Sequence, residues 1–402
     1  MLKTLFLIFL FLCNIKILAH PMPNSVVNLH IKENMIKGEA KIPFIELENA
    51  LNTKIDTDEI TNKNSKYIAY FIKHIAAITK NRKNQEWKTS IENITIYTDT
   101  DDFVGKYQEI IVNFSLIPQN KADLRHFEFR YDVIIHQVIT HKILVYLQED
   151  WKNGISIETD AQQIGMITLD IPSGKILPLQ IQLAEGSFWK GFLGMLYFGM
   201  QHIREGLDHI LFLLTLLLIA PLKIIATENH IKWSLFQGFG YTLQRFLKIS
   251  LAFTLGHSIT LLVGSFNLLP INSQYIEIII ALSILISAIH AIKPIFNNRE
   301  LLIALTFGLV HGLAFSYSLA HLELSTYSKI ISIAGFNIGI EIMQIMIMLL
   351  CFPIILLSNF QFYDKLRVIF SCFAIIAALA WLVERITNES NMISNILSNI
   401  SS

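Results

Sequence analysis

The chain has 402 residues, its 32 lysine and arginine residues equal its 32 aspartate and glutamate residues in number, and 52% of it is hydrophobic. A balanced charge of this kind excludes the broad basic surface expected of a nucleic-acid-binding protein. The hydrophobic residues are concentrated in the second half, where apolar runs of membrane-spanning length follow one another from Phe188 onward. We therefore expect one polar domain followed by one membrane domain.

Residues 1–19 have the order of a secretory signal peptide. Lys3 precedes an apolar run over residues 4–12, and Ala19 supplies a small residue before His20. An uncleaved anchor is the alternative, because Lys16 places a charge close to the cleavage point. Cleavage after Ala19 would leave His20 with a free amine beside its imidazole, a pair able to chelate a transition-metal ion. The simpler interpretation is that His20 merely follows the cleavage site.

Residues 20–185 are expected to form a β-rich exported domain, a sandwich that carries one helix. Five segments are rich in β-branched and aromatic residues and are predicted strands: 26–31, 91–97, 109–116, 127–134 and 143–147. Residues 67–79 have helical spacing instead. Only Cys351 and Cys372 would remain after cleavage, so the exported domain must fold without a disulfide.

Residues 186–386 are expected to form an all-α, polytopic membrane domain, and residues 387–402 a polar C-terminal tail. Six segments are close to the length that crosses a bilayer: 207–226, 247–266, 276–292, 301–319, 330–357 and 366–383. Residues 188–203 are predicted to be one further helix, interfacial or re-entrant. The lysines and arginines between the spans then place the β-rich domain on the periplasmic or extracellular side of the plasma (inner) membrane.

Several ionisable and polar side chains interrupt these apolar segments. Such groups are costly at membrane depth and usually face a bundle interior or a water-filled path, so they are candidates for function. Six are candidate metal ligands: His202, Asp208, His209, His257, His311 and Glu341. Four more are candidate supporting residues: Ser258, Glu277, Asn337 and Gln344. Imidazole and carboxylate without thiolate suit nickel, cobalt, zinc or manganese better than copper(I).

Each of these residues also has a purely structural interpretation. Asp208 could only cap a helix, and His257 could be a buried neutral imidazole. His311 could lie at a close helix contact made by small residues. His202 and His209 would be about 10 Å apart on an unbroken helix, so they can bind one ion only if the chain bends, and Gly206 offers the place.

Five motifs in order resemble the HupE/UreJ family of membrane proteins. They are residues 202–209 (HIREGLDH), 254–258 (TLGHS), 276–284 (IE followed by ALSI), 307–312 (FGLVHG) and 336–341 (FNIGIE). The resemblance covers most of residues 186–383 and looks closest to the branch with a large exported domain. It implies a nickel or cobalt permease that acts near hydrogenase and urease maturation, with the six candidate ligands handling the ion.

Two main hypotheses follow for the membrane domain, and a sensor or an assembly factor is the remaining alternative. The first is a permease for a divalent transition-metal ion, with the lipid bilayer, the ion and an exported metal-binding protein as partners. The second is an intramembrane zinc hydrolase in which Ser258 or Glu341 assists a zinc-bound water. A permease needs polar groups that continue across the bundle, and His290 and Gln344 favour such a path. The chain has no G-x-x-x-x-G-K-[ST] run, so a P-loop does not supply the energy.

Overall fold

The computed structural model describes residues 24–62, 65–79, 85–101, 105–119, 123–155, 161–227, 230–266, 273–296, 299–321, 324–359 and 362–401. The predicted signal peptide and His20 lie outside these residues. The chain divides into two compact units, one formed by residues 1–150 with 157–184 and the other by residues 151–156 with 185–402.

The described part of the first unit contains twelve strands and three helices. The strands are β1 (Ser25–Ile31), β2 (Ile36–Pro43), β3 (Ile75–Thr79), β4 (Gln85–Glu86), β5 (Lys88–Asp101), β6 (Gly105–Ile117), β7 (His126–Tyr131), β8 (Ile143–Asp150), β9 (Gln162–Ile167), β10 (Leu169–Asp170), β11 (Lys175–Ile176) and β12 (Leu179–Gln182). The helices are α1 (Phe44–Leu51), α2 (Thr57–Thr61) and α3 (Ser65–His74).

Two sheets make up most of this unit. Six strands pair in the order β5-β6-β2-β1-β8-β9, with β1 and β8 parallel and the other neighbours antiparallel. Four strands pair in the order β12-β7-β3-β4. In β1 buried and partly buried side chains alternate, as expected for a sheet with one face in the core. Buried Phe114 of β6 and Phe129 of β7 stack with ring centroids 6.5 Å apart, which joins the two sheets.

The β-rich architecture is confirmed, and its details differ from the prediction. All five predicted strand segments fall on strands. The fourth segment, residues 127–134, is longer than its strand, because β7 ends at Tyr131 and residues 132–134 form a turn. The predicted helix over residues 67–79 is wrong in its second half, because α3 ends at His74 and β3 begins at Ile75. Residues Ile75 to Ala77 are buried and pair with β7, so tertiary pairing overrides the helical spacing.

His141 makes the stability of this unit depend on pH. The buried Ser25 amide donates to His141 Nε2 at 3.2 Å, and Ser25 Oγ lies 2.8 Å from the same nitrogen. Burial lowers the pKa of His141 from 6.5 to about 4. Between pH 6.5 and pH 4, His141 is protonated in the unfolded chain and neutral in the folded unit. The free energy of unfolding therefore decreases by about 3 kcal/mol as the pH falls from 6.5 to 4.

The measurement is urea unfolding at pH 4 and pH 7.5, followed by hydrogen exchange in β1 and β8. We expect His141→Asn to lose most of the pH dependence. An equal pH dependence in wild type and variant would assign it to another group.

The described part of the second unit contains eight helices and one two-stranded hairpin. The helices are α4 (Phe188–Glu205), α5 (Leu207–Ile219), α6 (Phe239–Ser265), α7 (Ser273–Ile292), α8 (Glu300–His321), α9 (Thr326–Leu356), α10 (Phe362–Thr387) and α11 (Met392–Ser401). The strands of the hairpin are β13 (Leu222–Thr227) and β14 (His230–Phe236). The predicted polar tail therefore contains a helix, α11.

Among the described residues, four helices are long and apolar enough to cross a membrane: α6, α7 from Gln274, α9 and α10. Two further apolar stretches, Leu207–Ile219 and Glu300–Ser316, are shorter. All six predicted spans thus coincide at least in part with helices. Helix α5, with 13 residues, is too short to cross a bilayer alone, whereas the whole of α8 has 22 residues. The polytopic helical fold is confirmed with a smaller count of full-length spans.

The first predicted span, residues 207–226, is wrong in its second half. Helix α5 ends at Ile219, and the chain then forms the β13–β14 hairpin. Arg245 provides hydrogen bonds to carbonyl groups at the C-terminal end of α5. Its guanidinium donates to the carbonyls of Ile219 and Leu222 and forms an ion pair with Glu300 at 2.9 Å. Carbonyls that a helix end leaves free thereby gain a charged donor.

Two helix pairs approach so closely that only glycine fits between them. A Cβ on Gly256 of α6 would meet the Leu305 carbonyl of α8, and one on Gly308 would meet the Phe253 carbonyl. Helices α4 and α9 are joined in the same way, since a Cβ on Gly199 would meet the Phe336 carbonyl. Such small-residue contacts are how membrane helices pack backbone to backbone. They bring the polar side chains of these helices together.

Candidate functional site

The site begins at the break between α4 and α5. Gly206 has an extended backbone, ends α4 and precedes α5, as the sequence predicted. A side chain at this position would collide with the His202 carbonyl and the polar atoms of Asp208 and His209. The turn brings the rings of His202 and His209 to 4.5 Å between centroids. An unbroken helix would hold them about 10 Å apart.

The four candidate histidines of the second unit meet in one place, and we refer to them as the imidazole cluster: His202, His209, His257 and His311. The rings of His209 and His311 are 5.1 Å apart and those of His202 and His257 6.2 Å apart, between centroids. His257 and His311 are fully buried. The sequence named these residues only as candidate ligands, and the structure brings each ring to within 6.2 Å, between centroids, of another member.

A chain of hydrogen bonds runs through one side of the cluster. Asp208 Oδ1 accepts from the His209 amide and lies 2.9 Å from His209 Nδ1, which makes that nitrogen the donor. His209 Nε2 is then free to accept from His311 Nδ1 at 3.4 Å, and His311 Nε2 lies 3.0 Å from Ser283 Oγ. A carboxylate that orients an imidazole in this way is the usual partner of a metal-binding histidine. Asp208 lies in the first turn of α5 and accepts from the His209 amide, but the N-cap position is Gly206, so the interpretation of Asp208 as the helix cap is wrong.

The other side of the cluster holds nitrogens without partners. His202 Nε2 and both ring nitrogens of His257 are buried and have no hydrogen bond. Asn337 Oδ1, on the neighbouring helix α9, is also buried without a hydrogen bond of good geometry, although it lies close to the His257 ring; the Asn337 amide nitrogen donates to the Ile333 carbonyl. Buried polar atoms are nearly always satisfied, so each exception needs an explanation, such as a water or ion that belongs there.

Phenylalanine rings enclose the imidazole cluster. They are Phe212, Phe253, Phe315 and Phe336. The ring of Phe315 lies 4.9 Å from that of His202, and the ring of Phe253 lies 5.3 Å from that of His311. This apolar wall was not predicted. The sequence contains a pattern that could have predicted it. Phe253 precedes His257 by four residues and Phe315 follows His311 by four residues, so each pair lies on one helical face.

Glu341 is not in the imidazole cluster, although it was grouped with those histidines. Its carboxylate accepts from Ser250 Oγ and from Thr254 Oγ1, both at 3.0 Å, and Ser250 Oγ also lies 2.5 Å from Gln344 Oε1. We refer to these four residues as the oxygen cluster. Ser250 and Thr254 were missed, yet with His257 they occupy positions i, i+4 and i+7 of α6, one helical face.

A small cavity, with room for at most about one water molecule, touches both clusters, since His209, Ser250 and Gln344 all line it. The two groups therefore neighbour each other inside the bundle. The imidazole cluster offers nitrogen ligands, and the oxygen cluster offers a carboxylate, two hydroxyls and an amide.

A larger cavity of about 310 Å³ opens beside Asp208. Its carboxylates are Glu205, Asp208, Glu277 and Glu384. Arg385 also lines it, with Nε 3.2 Å from Glu277 Oε2. Four carboxylates beside one guanidinium make the wall acidic, and an acidic cleft raises the local concentration of cations. Glu277 therefore lines this cavity and belongs to neither cluster.

Two other predicted residues have local roles. Ser258 Oγ donates to the Thr254 carbonyl of its own helix at 2.7 Å, so its hydroxyl is not directed at the clusters. His290 Nδ1 accepts from the amides of Ile295 and Phe296, and this histidine holds the turn after α7. His290 Nε2, in contrast, is buried without a hydrogen-bond partner, so the place of His290 on a polar path stays a prediction.

Across the residues that the structure describes, no group of three or more His, Cys, Asp or Glu side chains is arranged so that it could hold a metal ion. The imidazole cluster therefore has its donors close together without convergent lone pairs.

Membrane-spanning helices with histidines and carboxylates buried among them define a multi-pass membrane protein with a polar centre inside its helix bundle. A family model described as HupE / UreJ protein matches residues 179–385, about half of the chain, and the chain belongs to this family. The family is associated with nickel and cobalt transport. The β-rich unit precedes most of the matched region. Comparisons with curated proteins and with solved structures found no match.

Proposed function

We propose that this chain is a permease for a divalent transition-metal ion, nickel or cobalt, in the plasma membrane, with the β-rich unit on the outer side. The ion enters through the acidic cavity beside Asp208, binds in the imidazole cluster and passes to the oxygen cluster around Glu341. The membrane potential favours entry by about 4.6 kcal/mol for two charges at 100 mV.

The observation that carries this proposal is the set of unpaired buried nitrogens, His202 Nε2 with both nitrogens of His257. Neutral imidazole nitrogens are ligands that suit nickel, cobalt and zinc. Nitrogens left without a hydrogen bond in an apolar enclosure cost free energy, so an ion that satisfies them recovers that cost. Their neighbour His209 is already oriented by Asp208.

The chemistry of the two clusters also supports transport of the ion and not its permanent binding. The imidazole cluster is nitrogen-rich, and the neighbouring oxygen cluster is a harder ligand set that binds these borderline ions less strongly. An ion that moves from the first to the second is held less tightly and can leave. A zinc hydrolase would need Ser258 or Glu341 beside the histidines, but Ser258 bonds its own helix and Glu341 bonds Ser250 and Thr254.

The experiment is metal flux into liposomes that contain the purified full chain and a metal-sensitive dye. Nickel, cobalt, zinc, copper and manganese are supplied separately, with and without an inside-negative potential. We expect nickel or cobalt influx that increases with the potential. Tightly bound zinc without flux of any ion would refute the permease proposal and favour the hydrolase.

Replacing Glu341 with glutamine is expected to lower nickel or cobalt flux by about tenfold or more. Glutamine keeps the size of the side chain, but it removes the only carboxylate of the oxygen cluster, whose charge would help to balance a divalent ion at membrane depth. Glu389→Gln, an exposed carboxylate in the same unit, serves as the control and should transport normally. Equal flux in Glu341→Gln and wild type would remove Glu341 from the path.

A further inference from the structure

Helix α11 carries apolar side chains that the rest of the described chain leaves exposed. The exposed fractions of Met392, Ile393 and Ile396 are 79%, 45% and 50%. Residues at positions i, i+1 and i+4 of a helix lie within about 100° of one another, so these three side chains share one face. Ser394, on the opposite side of the helix, is buried. The helix is therefore amphipathic, with its apolar face turned away from the protein.

The polar face of α11 belongs to the acidic cavity beside Asp208. Ser394 and Asn395 line that cavity. Glu384 and Arg385, from the last turns of α10, line it as well. An amphipathic helix on a protein surface in water packs its apolar face inward and exposes its polar face. Helix α11 does the reverse, which is the arrangement expected where the medium outside is lipid.

Asn391 holds the start of α11 against the membrane-spanning helix α10. Its side-chain amide donates to the Ala380 carbonyl at 2.8 Å, and its Oδ1 accepts from the Ser394 amide at 2.9 Å, as an N-cap does. Ala380 precedes the last residue of α10, Thr387, by seven positions, which is about 10 Å along the helix axis. The chain therefore folds back, and α11 begins beside an apolar part of α10 and not beyond its end.

The turn between α10 and α11 is fixed from a third helix. Gln274 Nε2 of α7 donates to the Arg385 carbonyl at 2.7 Å and to Asn388 Oδ1 at 3.3 Å. Asn388 has φ of 57°, in the left-handed region that asparagine adopts more readily than most residues. This residue follows α10 and turns the chain back toward Asn391. The position of α11 is thus set by two membrane-spanning helices, α7 and α10.

Helix α10, against which α11 packs, exposes apolar side chains in its last turns as well. The exposed fractions of Val383 and Ile386 are 52% and 59%, and on a spanning helix such side chains contact lipid. We infer that α11 is an interfacial helix whose three exposed apolar side chains, Met392, Ile393 and Ile396, lie at the boundary between lipid headgroups and acyl chains. Amphipathic helices bury their apolar face about 5–10 Å into this boundary. The bilayer is thus the partner of this face, and it holds one wall of the acidic cavity.

The composition of α11 specifies the kind of membrane contact. Residues 392–401 contain no lysine, arginine, aspartate or glutamate. Helices that bind membranes through basic residues depend on anionic lipid, and salt weakens their binding. Contact through apolar side chains alone depends on neither. This contact goes beyond the proposed transport function and does not depend on it.

The test places a spin label on single cysteines of the full chain in liposomes, with the three native cysteines replaced by alanine. Oxygen concentrates in lipid and a neutral gadolinium chelate stays in water, so the collision rates of the label with these two reagents report its surroundings. The labelled variants are Ile393→Cys and Ile396→Cys, and Glu389→Cys, at an exposed residue of the preceding turn, is the water control. We expect the ratio of oxygen to gadolinium collisions to be at least about tenfold higher at 393 and 396 than at 389.

Each alternative surrounding gives a different result. A ratio at 393 and 396 equal to that at 389 would place the helix in water. Low collision rates with both reagents would show that a protein surface, such as a second copy of the chain, covers the face. Either result overturns the lipid contact. Zwitterionic and anionic liposomes should give the same ratio, and contact in anionic liposomes alone would contradict a contact made by apolar side chains.

A matched set of glutamine variants tests which face makes the contact. With the label at Met392→Cys, the double variant Ile393→Gln with Ile396→Gln should move the label into water. Asn395→Gln changes the polar face of the same helix and should leave the label in lipid. A label that stays in lipid in both chains, or that leaves it in both, would contradict the assignment of the apolar face.

Discussion

Replacing His257 with leucine is expected to abolish nickel or cobalt flux, with a loss of more than about 100-fold, because a central ligand of the imidazole cluster is removed. The same substitution should leave the protein folded and could raise its stability. Both nitrogens of His257 are buried without partners, and leaving such a group unsatisfied costs about 1–3 kcal/mol. Leucine has a similar volume and suits the phenylalanine rings around it.

The measurement combines flux into liposomes with unfolding of the purified protein in detergent. Loss of flux at unchanged or increased stability identifies a functional histidine, since a structural one would cost stability when removed. His126→Leu, in the β-rich unit, is the control and should change neither quantity. Normal flux through His257→Leu would exclude the imidazole cluster as the ion's route.

Alanine at two glycines of the same helix is expected to have opposite effects. Gly256→Ala places a Cβ against the Leu305 carbonyl and the Leu309 amide, backbone atoms that cannot rotate away. We expect it to destabilise the protein by about 1–3 kcal/mol, the usual cost of overpacking, and to reduce flux because α6 and α8 carry His257 and His311. Gly240→Ala meets nothing within 4 Å and should be neutral or slightly stabilising.

Both variants are compared by thermal unfolding in detergent and by nickel flux. The comparison within α6 cancels the intrinsic preference of a helix for alanine over glycine. If Gly256→Ala proves as stable as Gly240→Ala, the close approach of α6 to α8 is wrong, and the placement of the imidazole cluster is wrong with it.

The bend at Gly206 was predictable because it follows from simple geometry. Two histidines seven residues apart cannot meet on a straight helix, and glycine was the residue at which the chain could turn. The separation of Glu341 from the histidines was not predictable. Depth along a span can be estimated from sequence, but the rotation of α9 that directs Glu341 toward Ser250 and Thr254 is set by packing.

In the β-rich unit, strands with alternating burial were found from sequence, and the change from α3 to β3 at His74 was not. Residues 67–79 keep apolar positions at helical spacing, so local pattern alone extends the helix. Pairing with β7, distant in sequence, decides where it ends.

The break between α4 and α5 has an electrostatic consequence as well as a geometric one. A helix carries a partial positive charge at its first turn and a partial negative charge at its last, each of about half an elementary charge. His202 lies in the last turn of α4, where free carbonyls favour a cation, and Asp208 lies in the first turn of α5, where free amides favour an anion. The two helix ends that meet at Gly206 therefore supply, from backbone alone, a weak attraction for a cation and an anchor for the Asp208 carboxylate.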